Sequence, residues 1–148
     1  MNDAIPTIRA YHSDDIEPVM AAWRGANALA HPFLATDFVA EVEQAIRNIY
    51  VPQAETYVLE VDGAVVGFIA LLGAEIGGLF LDPAQHGNGY GRAMVDHAVA
   101  LKGPLRVDVF RDNAIGRAFY ERYGFEFVAD ELHEPSSQMN RTMAMPGA

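Results

Sequence analysis

No cysteine occurs among the 148 residues. A disulfide framework, a thiolate metal site and a cysteine nucleophile are therefore excluded. Positive charge is scarce. Ten Lys and Arg stand against twenty Asp and Glu, for a net charge of −10, which argues against a nucleic-acid partner. A long uncharged apolar run is missing too. The most apolar stretch, residues 63–81, contains Glu75 and is dense in glycine and β-branched residues, so it reads as two buried strands rather than a membrane span. Met1 to Pro6 lack the basic and apolar regions of a signal peptide. The expectation is a cytoplasmic chain with no membrane partner. The histidines lie singly, without metal-ligand spacing, so no metal is expected. No repeat, low-complexity tract or linker is visible, and the length suits one domain over residues 1–148.

What is present is organised around Leu79 to Arg92. This stretch reads as a buried strand, a stop at Asp82-Pro83, and a glycine-dense turn opening into a helix from about Gly91 to Lys102. Gly87, Gly89 and Gly91 let consecutive N–H groups point one way and a bulky ligand come close. The helix start adds free N–H groups and the positive end of its dipole, which suits phosphate. Arg92 and Met94 occupy the positions where a Rossmann fingerprint needs its third glycine, and no Gly-Lys-Ser/Thr follows to make a P-loop. On these residues alone, a turn rich in glycine only for tightness remains the alternative.

The rest of the chain reads as alternating strands and helices. Thr7 to Tyr11 is a first strand. Asp14 with Glu17 resembles a capping box, and Ile16, Val19, Met20, Trp23 and Ala30 share one helical face. After a break at 30–34, Thr36 can cap a helix striped by Phe38, Val42, Ala45, Ile46 and Ile49 that ends near Pro52. Tyr57 to Val61, the turn Asp62-Gly63 and Ala64 to Leu72 form the clearest hairpin. In the next strand, Glu75 to Leu81, the pair Gly77-Gly78 suggests a bulge that would splay it from a strand at Leu105 to Phe110. Met94, Val95, Ala98 and Leu101 face the intervening helix into the core. Asn113 or Asp112 can cap a further helix packed through Ile115, Ala118, Phe119 and the stem of Arg122. Phe125 to Ala129 and Asn140 to Met145 close the sheet.

Two of these stretches resemble a known family. His86-x-x-Gly89-x-Gly91 is similar to the Gln/Arg-x-x-Gly-x-Gly/Ala element of the GNAT acetyltransferases, with His86 where Gln or Arg is usual. Asn113, Tyr120, Gly124 and Phe125 resemble its Asn…Phe-Tyr…Gly-Phe element. The appearance is closest to the YjaB-like bacterial subfamily. The resemblance implies a single α/β domain. Its central sheet would be mixed but mostly antiparallel, of about seven strands with a splayed parallel pair, and flanked by about four helices. It also implies acetyl-CoA as co-substrate and direct transfer of the acetyl group to a primary amine within a ternary complex. The acceptor would be a small amine, or a protein lysine or N-terminus.

By the same resemblance, His86, Gly87, Asn88, Gly89, Tyr90, Gly91 and Arg92 would cradle the pyrophosphate, and the backbone of Leu79 and Leu81 would pair with the pantetheine arm. Asn113 would touch that arm, although helix capping alone explains it equally. Tyr120 stands at the family's general-acid position, with packing at the core edge as the alternative. Gly116, one turn earlier, would leave room for the thiol. Glu75 is the expected base, its carboxyl raised by an apolar strand, unless it is only a solvated strand end and a water chain to backbone carbonyls takes the proton. His31, Phe33 and Phe38 flank the expected acceptor site, and an ordinary helix–helix turn accounts for them as well. A non-catalytic acyl-CoA-binding module is the rival function, and the oligomeric state is expected to be monomer or homodimer.

Charge adds one further expectation. Residues 92–122 hold six basic and four acidic side chains, a net +2, which leaves −12 for the rest. Most of those acids lie between Asp3 and Asp62, around the expected acceptor side. A cationic acceptor would be drawn to that field, although acids kept only for solubility would look the same.

Overall fold

The computed structural model describes residues 5–148. Seven strands form one sheet in the order β1-β2-β3-β4-β5-β7-β6. They are β1 (Thr7–Ala10), β2 (Glu55–Val61), β3 (Ala64–Leu72), β4 (Glu75–Leu81), β5 (Arg106–Phe110), β6 (Glu126–His133) and β7 (Gln138–Ala144). All neighbours pair antiparallel except β4 and β5. The helices are α1 (Ile16–Ala30), α2 (Thr36–Ala45), α3 (Val51–Gln53), α4 (Tyr90–Lys102) and α5 (Ala114–Tyr123), with a π-helical turn, Ile46–Tyr50, running α2 into α3. Taking α2 and α3 as one bent helix, four helices cover the sheet, as expected from the sequence.

The β2–β3 hairpin closes through Asp62 and Gly63 at φ 54° and 81°. Both central residues of a type I′ turn need positive φ, which Asp-Gly tolerates. Alternation then sends Val58 and Phe68 to one face of the sheet and Leu59 and Ile69 to the other. The first pair packs with Val19, Met20, Trp23 and Val51 beneath α1. The second packs with Met94, Val95, Ala98, Leu105 and Tyr120 beneath α4 and α5. Central strands that are apolar on both faces follow from this double covering.

The parallel pair is short. Only Glu75↔Arg106 and Ile76↔Val107 are in register. On the other side of β4, Ala70 faces Gly78 and Leu71 faces Ile76, so Gly77 is the extra residue of a bulge. Beyond that point β4 and β5 separate.

Several expectations are corrected in detail. The capping box belongs to His12 and Asp15, not Asp14 and Glu17: the His12 N–H donates to Asp15 at 2.8 Å. Asp15 is buried because Arg9 grips it bidentately, at 2.8 and 2.9 Å, while also donating to Glu60 at 2.7 Å. Thr36 begins α2 without capping it, Ala35 being the N-cap. Ile49, Leu101 and Ile115 are about half exposed. In α4, Val99 instead makes a partial core contact, and in α5 the fully packed side chain is Tyr120.

Gly67 is held by close approach. A Cβ there would lie 2.9 Å from both the Phe80 carbonyl oxygen and Leu81 Cδ1. Gly67→Ala should therefore cost about 1–3 kcal/mol through overpacking. Urea unfolding should show a lower midpoint with an unchanged m-value.

Candidate active site

Where β4 and β5 separate, a cleft of about 600 Å³ opens, a size ordinary for small-molecule sites. Its walls come from the end of α1 (Ala26 to His31), β4 (Ile76 to Leu81), the turn before α4 (His86 to Arg92), β5 (Val107 to Phe110) and α5 with its cap (Asn113 to Arg122). The β4 edge facing the cleft has no strand partner beyond Ile76. Backbone groups there need partners from elsewhere.

At one end lies the glycine turn. Gly87 and Gly89 take φ of 86° and 80°, and a Cβ on either would enter open space. Gly91 has a different reason: its Cβ would meet the Phe119 ring at 3.1 Å. Gly89 is the N-cap of α4 and no side chain caps this end, so the first N–H groups and the helix dipole are available to an anion. The His86 Nε2–H donates to the Leu81 carbonyl at 3.1 Å, fastening the turn to the end of β4. Asn88 Nδ2 donates to the Gln85 carbonyl at 3.2 Å. Tyr90 and Leu81 bury their side chains in the core, leaving only backbone for a ligand. The Arg92 guanidinium stacks 4.9 Å above the Tyr123 ring, whose hydroxyl donates to Asp96 at 2.6 Å.

In the middle stands Tyr120, buried between Phe119 and Phe125 and on the cleft wall. Burial alone pushes its phenol well above the usual range, so it stays protonated at neutral pH. Asn113 caps α5 by accepting the Gly116 N–H on Oδ1 at 2.8 Å. Gly116 is needed for this cap, since a Cβ would sit 2.5 Å from Asn113 Nδ2.

The far end is aromatic. His31 meets Phe33 and Phe110 edge to face at 5.8 and 5.1 Å, and Phe33 and Phe110 lie 5.8 Å apart. His133 bridges Phe110 and Phe38 at 5.8 and 6.1 Å. His31 and Phe110 reach the cleft, whereas Phe33 and Phe38 stand behind them. Glu75 is exposed at the first residue of β4 and off the cleft wall, so the burial expected of it is absent. Asp108 lies on the wall, one residue past the last β4–β5 pair, and accepts from Thr142 Oγ1 at 2.7 Å. Sequence reasoning passed over Asp108, Phe110 and Asn27. The period-two alternation of β5 and the i, i+4 spacing of Asn27 and His31 carried the signal.

The comparisons with known proteins agree with this geometry. The family model described as an acetyltransferase (GNAT) domain matches residues 52–127. The peptidyl-lysine N-acetyltransferase YjaB of Salmonella typhimurium strain LT2 is 31% identical over 138 residues, 90% of this chain and 94% of that protein. The chain belongs to the GNAT acetyltransferase family. Like its relatives it is an N-acetyltransferase. The solution structure of apo YjaB from Escherichia coli superposes with a TM-score of 0.88 at 27% identity, covering 97% of this chain and 99% of that one. The PaiA N-acetyltransferase of Thermoplasma acidophilum, solved with coenzyme A, shares the fold with a TM-score of 0.78 at 16% identity, covering 93% and 98% of the two chains.

The electrostatics of this GNAT cleft yield a pH prediction. Desolvation pulls His31 from its ordinary 6.5 down to about 4. Between those values the unfolded chain takes up a proton that the folded protein refuses. Stability is therefore unaffected above pH 6.5, falls as pH drops towards 4, and levels below. The full loss is roughly 3 kcal/mol. Urea unfolding at pH 7.5 and pH 4.5 should show the wild type losing more stability than His31→Gln by about 2.5 kcal/mol, most of the full loss.

Proposed function

We propose that this enzyme moves an acetyl group from acetyl-CoA to the ε-amine of a protein lysine, directly and without a covalent enzyme intermediate. The observation that carries this reading is one continuous cleft joining an uncapped, glycine-lined helix start to a protonated, desolvated tyrosine. Acetyl-CoA supplies an activated acetyl thioester, a pyrophosphate that suits the α4 start, and amides that suit the unpaired edge of Gly77 to Leu81. That edge also offers N–H groups to a carbonyl oxygen gaining negative charge. Tyr120, with its proton retained, is the acid for the departing thiolate.

The proton on the acceptor amine needs a carboxylate or a water chain. Asp108 is favoured over Glu75 because it borders the cleft where the strands part. The lysine acceptor is supported by the relatives, two of which, at 30% identity or more, are peptidyl-lysine N-acetyltransferases. The aromatic end suits an alkyl stem bearing a cation, and the acidic balance of the chain suits a basic protein surface.

The cofactor half is tested by thermal or urea unfolding. Acetyl-CoA at 100 times its dissociation constant should add about 2.7 kcal/mol. Gly89→Asp should lose this gain, because its carboxylate would enter the phosphate cradle. Gly63→Asp, with the same left-handed φ in the β2–β3 turn, should keep it and so control for backbone strain.

The chemical half is tested on a lysine peptide. Tyr120→Phe should lower kcat by about 10²–10⁴-fold with cofactor stabilisation retained. Asp108→Asn should lower it more than Glu75→Gln does. An unchanged kcat in Tyr120→Phe, with chemistry rate-limiting, would make Tyr120 a packing residue.

A further inference from the structure

Three polar side chains meet between the two walls of the cleft. His31 Nδ1 lies 2.7 Å from Asn27 Oδ1, and His31 Nε2 lies 3.1 Å from Asn113 Nδ2, 82 residues away in sequence. Asn27 and His31 sit at the end of α1, whereas Asn113 caps α5.

The proton positions follow from one fixed point. The Gly116 N–H can only donate, so Asn113 must present Oδ1 to it and Nδ2 to the ring. His31 Nε2 is then the acceptor, and the proton of the neutral imidazole resides on Nδ1. Asn27 must in turn present its oxygen. Both ring nitrogens are thereby engaged, and the ring faces are held edge to face by Phe33 and Phe110. Asn113 retains one amide N–H, and it borders the cleft.

We propose that His31 is a positioning residue, a neutral clasp that ties the acceptor-side corner of α1 to the cap of α5 and so orients Asn113 and Tyr120. This deepens the acetyl-transfer reading and rests on it. The clasp crosses the line along which β4 and β5 part, where no strand pairing holds the walls together. Of its two hydrogen bonds, His31–Asn113 spans the gap in place of that pairing, and Asn27–His31 fixes the ring within its own wall. Asn113 is aimed by it, and Tyr120 is carried on the helix that Asn113 caps.

The test uses the full chain and three variants. His31→Phe keeps a ring against Phe33 and Phe110 but removes both nitrogens. His31→Gln restores an acceptor within reach of Asn113. Gly116→Ala leaves His31 intact and displaces Asn113, whose Nδ2 a Cβ would approach to 2.5 Å. Turnover of acetyl-CoA is followed with a lysine peptide and, separately, as hydrolysis without it. Coenzyme A stabilisation is read by thermal unfolding, and the imidazole ¹⁵N spectrum of the unliganded protein gives the His31 tautomer.

The expected result is His31 protonated on Nδ1 at neutral pH. His31→Phe and Gly116→Ala should each lose about tenfold or more in kcat, as misplacement without loss of a reacting group would cause. His31→Gln should recover most of the loss. A folded His31→Phe with wild-type kcat and wild-type coenzyme A stabilisation would overturn the proposal. So would an Nε2–H tautomer, or a His31→Gln as impaired as His31→Phe beside a fully active Gly116→Ala, since His31 would then act through its own nitrogen. If the peptide is not acetylated, only the lysine reading fails. Hydrolysis, coenzyme A stabilisation and the tautomer then decide the clasp.

Discussion

The separation of β4 from β5 is the constraint on which the site depends. After two parallel pairs the strands diverge, and the bulge at Gly77 fixes where this happens. A sheet interior cannot ordinarily leave backbone groups without partners. Here the sheet tolerates it because each diverging strand is braced on its own side. β4 keeps its antiparallel ladder to β3, and β5 keeps five pairs with β7. Each wall of the gap therefore keeps a ladder of its own, and the unpaired backbone of β4 is where the proposed pantetheine amides would pair.

Both ends of the cleft follow from where the diverging strands lead. The end of β4 runs through Asp82-Pro83 and the glycine turn into α4. The end of β5 runs through residues 111–113 into α5, with the Arg111 N–H still donating to the Met139 carbonyl at 2.7 Å. One strand thus delivers a helix start whose end no side chain caps, and the other delivers Asn113 and Tyr120. Their separation is set by backbone pairing elsewhere in the sheet, not by contacts within the site.

The strands and the helix order were legible in the sequence because period and punctuation carry them, whereas the mixed sheet with its parallel pair was implied by the family resemblance. Alternation marks β2 and β3, Asp-Gly marks their turn, and paired glycines mark the bulge. Residues whose placement depends on long-range packing were less legible. Glu75 was expected to be buried from its apolar neighbours, yet it falls at the strand's first residue, where the strand has not yet entered the core. Gly116 suggested room for a ligand, but its neighbour three residues back folds onto it. The α5 stripe was misread in part, since Phe119 packs on the core as expected but Ile115 is about half exposed and Tyr120 turns inward. Periodicity finds a helical face but not which edge of it meets a cleft.

Burial also sorts the titratable groups by depth. The two groups deepest in the cleft, Tyr120 and His31, are both neutral at physiological pH, since desolvation raises one and lowers the other. The charged side chains on the same wall, Arg92, Asp108 and Arg122, are exposed. Charge can therefore be met at the mouth by solvated partners, while the interior holds only groups that keep or lack a proton throughout the working range. In the acid role proposed for it, Tyr120 would impose no alkaline limb of its own near neutrality. A pH–rate profile for this enzyme then reports the acceptor amine and its base rather than the acid.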